Sequence, residues 1–140
     1  MTTAAPPLTG ANLGLAYFAI RKNLLDLLDD YDLTFEQSLL LNYLHRGEAT
    51  RADLVASTAD NIKVSAAEVE SHLDAAIARG LVADGLTLTA EGARVQEEIV
   101  ARTQPLTKTF FADLPPEDVA ATARVLATLT ERANAALAAS

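Results

Sequence analysis

Apolar residues recur at Leu13, Ala16, Tyr17, Ile20, Leu24, Leu27, Leu28 and Tyr31, in steps of three and four. That spacing lays a stripe along one face of a helix and fits no strand. The period returns in Leu40, Leu41 and Leu44, in Leu54 and Val55, and in Val69, Leu73, Ala76 and Ile77. It returns again in Val95, Ile99 and Val100, and in Val119, Leu126, Leu129, Ala133 and Leu137. Residues that start and stop helices stand between the stripes. Thr34 precedes Gln37 by three residues and Ser65 precedes Glu68 by three, the spacing of a capping box, while Thr50 and Thr89 offer single caps. Gly47 and Gly80 close two stripes, and Pro115-Pro116 opens the last.

This punctuation predicts a mainly α fold, with helices over about 10–31, 34–46, 51–59, 65–79, 89–110 and 116–139. Pro105 inside the fifth predicts a kink or break there. Asp60 to Val64 reads as a turn longer than the tight connection of a compact helix pair. Leu81 to Leu88 is the one strand candidate, a minimal β-hairpin turning on Asp84-Gly85. Residues 1 to about 9, small and polar with Pro6 and Pro7, read as a loose leader.

At 140 residues the chain is expected to be a single domain spanning 1–140, with room for one core. With no Cys, it has no disulfide, no thiolate nucleophile and no Cys-built zinc site. The amino terminus lacks the cationic and apolar regions of a signal peptide, and no apolar run approaches the roughly 20 residues of a membrane span. A soluble, cytoplasmic protein is expected. No Gly-rich phosphate loop and no Gly-x-Ser-x-Gly elbow occur, so no catalytic residue and no cofactor is assigned, and an enzyme is not expected. His45 and His72 are the two histidines; both read as ordinary helix residues. Asp29-Asp30-Asp32 and Glu97-Glu98 read as solvated charge, so no metal is expected.

Three segments carry a family likeness in their order and spacing. Leu33-Thr34-Phe35-Glu36-Gln37-Ser38-Leu39-Leu40 comes first. Thr50-Arg51-Ala52-Asp53-Leu54-Val55 follows, with Val64-Ser65 and Ala78-Arg79-Gly80-Leu81-Val82 behind it. Leu88-Thr89-Ala90-Glu91-Gly92 closes the set. Over residues 10–139 the chain resembles the MarR family of bacterial winged helix-turn-helix transcriptional regulators. The resemblance implies a winged helix-turn-helix lobe over 34–88, and amino- and carboxyl-terminal helices (10–31 and 89–139) that form a dimerisation lobe. It also implies a homodimer that places its recognition helix in a DNA major groove. A small aromatic ligand would bind between the lobes, with Tyr17, Phe18, Tyr43 and His45 as candidate pocket residues.

By that resemblance Arg51, Lys63, Ser65, Ala67, Glu70, Ser71 and Arg79 are the candidate DNA contacts. The cations would hold phosphates and the helix face would meet base edges. The sequence also departs from the family. No Arg or Lys lies between Val82 and Leu88, and the recognition face reads Ala66, Ala67, Glu70 and Ser71. The net charge is −8, so a dimer carries −16, against a partner that draws affinity from cations. Weak binding to double-stranded DNA is the expectation. The alternative is a dimeric ligand- or protein-binding module of the same fold that has lost specific DNA binding.

Overall fold

The computed structural model describes residues 5–47 and 49–140, so most of the leader's first half (residues 1–4) lies outside the described residues. Residues 5–9 form neither helix nor strand. The described residues form six helices: α1 (Gly10–Asp29), α2 (Phe35–Arg46), α3 (Arg51–Ile62), α4 (Ala66–Ala78), α5 (Ala90–Phe110) and α6 (Pro116–Ala138). None is long and apolar enough to cross a membrane.

The helix starts follow the caps. Thr34 Oγ1 accepts from the Gln37 N–H at 3.0 Å, and Gln37 Oε1 accepts from the Thr34 N–H at 3.1 Å, a reciprocal box. Thr50 accepts from the Asp53 N–H and caps α3. Ser65 accepts from the Glu68 N–H at 3.1 Å, but Glu68 does not return the bond, so the box expected there is half formed. The Glu68 carboxylate instead gathers with Glu36 and His72. Thr9 and Asn12 form a second reciprocal box at the start of α1, with Asn in the place usually taken by Glu or Gln.

The chain divides into two compact units, one ending at Gln104 and the other comprising Pro105–Ser140. In the first, α2 packs on α1, α3 and α4, and α3 packs on α4. Leu28, Leu40, Leu41, Leu54, Val69 and Leu73 are completely buried, each contributing about 1.5–3 kcal/mol. In the second, α6 buries no residue: Val125, Leu126, Leu129 and Leu137 are all exposed.

Three expectations are corrected. The segment read as a turn from Asp60 is helix, because α3 continues to Ile62. Leu54, Thr58 and Ile62 stand four apart, so Ile62 extends the inward face while Asp60 and Asn61 lie on the exposed one. Of the kink or break expected at Pro105 the break is absent, since α5 runs unbroken from Ala90 to Phe110. The missing proline N–H removes one ladder bond from a helix of 21 residues. The hairpin is not a pair of strands: Val82 and Leu88 make one isolated antiparallel bridge. Its Asp84-Gly85 turn does form, with the Leu86 N–H donating to Ala83 O at 2.9 Å and the Ala83 N–H to Thr87 O at 2.8 Å. The ladder goes no further because the next bond, from the Thr89 N–H to Leu81 O at 3.1 Å, already leads into α5. Leu86 adopts φ 60°, a left-handed conformation costing a branched side chain about 1–3 kcal/mol; its burial to 7% exposure offsets that cost.

Entry into α5 is the tightest point. Thr89 Oγ1 accepts from the Gly92 N–H at 3.0 Å and donates to Gly80 O at 2.5 Å. A Cβ on Gly92 would lie 1.9 Å from Leu81 O and 2.9 Å from Leu81 C. Both atoms are backbone and cannot swing away. Gly92→Ala therefore sets about 1 kcal/mol of gained helix propensity against overpacking of about 2–3 kcal/mol or more. A net loss of stability is expected in urea unfolding; an unchanged midpoint would show that α5 and Leu81 part easily.

Candidate nucleic-acid interface

α3 and α4 are joined by three residues, Lys63 to Ser65, the length of a helix-turn-helix connection. Lys63 makes the corner at φ 58°, ψ 47°, and its N–H donates to Ala59 O. Ser65 then caps α4. Val69, Leu73 and Ala76 turn inward, which leaves Ser65, Ala66, Ala67 and Ser71 exposed along the amino-terminal half of α4. Ala67 and Ser71, four apart, share one outward surface, and Ser65 is exposed at the helix end as its cap.

The charged candidates have partners within the chain. Arg51, the first residue of α3, donates from Nη2 and Nε to Glu70 Oε2 at 2.6 and 3.0 Å, and from Nη2 to Asp74 Oδ1 at 2.6 Å. Glu70 and Asp74 stand four apart on α4 and so grip one guanidinium from a single helix face. The hydrogen bond to Glu70, then that to Asp74, raises the Arg51 pKa above its ordinary value. Lys63 Nζ lies 3.5 Å from Asp60 Oδ1. Arg79 donates to Asp32 O at 2.6 Å and to Tyr31 O at 2.8 Å, tying the end of α4 to the α1–α2 junction. Between residues 50 and 88, Arg51, Lys63 and Arg79 face Asp53, Asp60, Glu68, Glu70, Asp74 and Asp84, three cations against six anions.

The pocket candidates do not converge. Tyr17 and Phe18 are 51% and 65% exposed, their rings 5.5 Å apart on a stretch of α1 where Leu15 and Ile20 are exposed as well. His45 is exposed on α2. Tyr43 lines a cavity of about 210 Å³ between α2 and α3, with Asn42, Arg46, Thr58 and Asn61. The sequence reading gave Asn42 and Arg46 no ligand role, although they stand four apart on the helix that carries Tyr43.

No family model matches the sequence, and no curated protein matches it. Solved structures do. Ligand-free NadR is 24% identical, covering 90% of this chain and 99% of its own, with a TM-score of 0.72. BpsR of Bordetella bronchiseptica, described in terms of regulation of its DNA binding by 6-hydroxynicotinic acid, is 24% identical over 93% of this chain and 98% of its own, at 0.71. The reduced form of MarR from E. coli is 20% identical over 90% and 95%, at 0.67.

The Arg51 cluster is partly open to solvent, with side chains 37%, 41% and 65% exposed. Its pairs are therefore worth little. A double-mutant cycle on Arg51→Ala and Glu70→Ala is expected to give a coupling below about 1 kcal/mol that shrinks in salt. A salt-insensitive coupling above about 2 kcal/mol would mean that the pair is a structural fixture. In the arrangement of its helices the chain has the MarR-type fold, with the wing reduced to a single bridge.

Proposed function

We propose that the protein is a MarR-type transcriptional regulator rather than an enzyme, and that it binds duplex DNA as a homodimer, weakly and with little base discrimination. The observation that carries this reading is the outward amino-terminal half of α4, set behind a three-residue turn from α3. A helix presented in this way suits a major groove, and its first N–H groups suit a phosphate. The fold shared with BpsR, whose DNA binding is regulated, supports it. Low affinity follows from the side chains. Ala66 and Ala67 read no base edge beyond a thymine methyl, and Glu70 and Asp74 hold the Arg51 guanidinium that would otherwise meet phosphate.

The homodimer takes its support from two groups of exposed large apolar side chains, Leu15, Tyr17, Phe18 and Ile20 on α1 and Val125, Leu126, Leu129 and Leu137 on α6. Exposed apolar groups of this number in water favour association. Light scattering at micromolar concentration is expected to give twice the chain mass; a stable monomer would remove the dimer from the proposal. For ligand response, the cavity beside Tyr43 and Arg46 has the size for a small aromatic molecule carrying an anionic group.

A second reading has its own support, since Arg51, Lys63 and Arg79 all have partners within the chain: a dimeric ligand- or protein-binding module that leaves DNA alone. Duplex binding by fluorescence anisotropy separates the two. The double substitution Glu70→Gln with Asp74→Asn releases Arg51 and removes two carboxylates. It is expected to tighten binding and to steepen the salt dependence by about one unit per phosphate gained. Adding Arg51→Ala is expected to undo that gain. No binding by either the parent or the double variant at low salt would favour the module.

A further inference from the structure

The half-formed cap at Ser65 leads to a second cluster. Glu36 in the first turn of α2 and Glu68 and His72 on α4 bring one ligand atom each to within 4.8 Å of one another. Glu68 and His72 stand four apart, so their side chains project from one face of α4, and Glu36 meets them from α2. His72 and Glu36 are largely withdrawn from solvent, with side chains 23% and 19% exposed. The ion pairs among the described residues give neither Glu36 nor Glu68 a Lys or Arg partner. Two carboxylates thus converge on an imidazole with no fixed cation between them.

The ring is held from its far side. His72 Nδ1 lies 3.1 Å from Thr34 Oγ1, and Gln37 Nε2 donates to the His72 carbonyl at 3.4 Å. A hydroxyl can donate or accept, so Thr34 serves either tautomer. When Nδ1–H donates to it, Nε2 turns its lone pair toward the carboxylates, the orientation that outer partners impose on metal-binding histidines. Nε2 is 3.6 Å from Glu36 Oε2. Two ligands on one tetrahedral ion at bond lengths of about 2.0–2.2 Å stand about 3.4 Å apart, so this pair already has the separation an ion needs. Glu68, exposed near the start of α4, has the freedom to complete the set.

We propose that Glu36, Glu68 and His72 bind a divalent transition-metal ion, with zinc the best chemical match, and so join α2 to the amino-terminal half of α4. Imidazole nitrogen and carboxylate oxygen are both ligands that zinc accepts, a water would fill the fourth position, and the two negative charges balance the ion. The proposal stands apart from DNA binding. It is tested on the full, tag-free chain by calorimetric titration with zinc and by the visible absorption of added cobalt(II). One zinc per chain is expected, with cobalt bands of a low-symmetry nitrogen–oxygen site. His72→Ala and Glu36→Gln are expected to weaken zinc about tenfold or more, while His45→Ala leaves it unchanged. Glu68→Gln, which disturbs no hydrogen bond of the fold, is expected to weaken it too and decides the matter if the other variants unfold. Absence of saturable zinc binding, or binding that survives these substitutions or is lost in His45→Ala, overturns the proposal.

Discussion

The absence of a side chain at Gly92 allows α5 to begin where it does. The Leu81 carbonyl occupies the space a Cβ would need, 1.9 Å from its ideal position. With α5 so close, Thr89 reaches the Gly80 carbonyl with its hydroxyl and the Leu81 carbonyl with its N–H. The exit from α4 and the entry to α5 are thereby fixed to one another within a dozen residues. Val82 and Leu86 are drawn into the core by the same closure, at 2% and 7% exposure. Only five residues remain between the two ends of the Val82–Leu88 bridge, too few for strands of useful length. The short wing is a consequence of this joint.

Much of the fold was legible because the helices obey local rules. Thr34, Thr50, Ser65 and Thr89 each sit at a helix start, and the apolar stripes of α2 and α4 are the buried faces. The misreadings have local causes as well. Asp60 and Asn61 look like turn residues, and only the burial of Leu54 and Thr58 reveals that Ile62 continues their helix face. Asn12 completes a capping box from which Glu and Gln are the usual signals. Pro105 predicts a kink or break, and of the two the break is absent because a long helix tolerates the loss of one ladder bond.

The candidate site was legible as a surface and illegible as an electrostatic system. That Ala67 and Ser71 face outward follows from the period of α4. That Arg51 is held by Glu70 and Asp74 does not, since the partners are 19 and 23 residues away and meet only when α3 packs on α4. The packing of α2 on α4 brings Arg79 to the carbonyls of Tyr31 and Asp32, 48 and 47 residues earlier. Likewise His72, unremarkable on its own helix, meets Glu36 only through the packing of α2 on α4. Cations that would meet phosphate one by one are thus paired within the chain, and the acidic balance of the region is expressed at the helix that would face DNA. Long-range repulsion then works against the duplex, while the helix geometry alone favours it.

Whether α4 is the DNA-facing surface is tested most directly by backbone amide NMR of the labelled protein, titrated with a duplex at low salt. Fast-exchange shifts confined to Lys63–Asp74, with the Arg51 side-chain signals moving as its carboxylate partners are displaced, are expected. Shifts centred on the cavity residues Asn42, Tyr43 and Arg46, or no shifts at any duplex concentration, would contradict it.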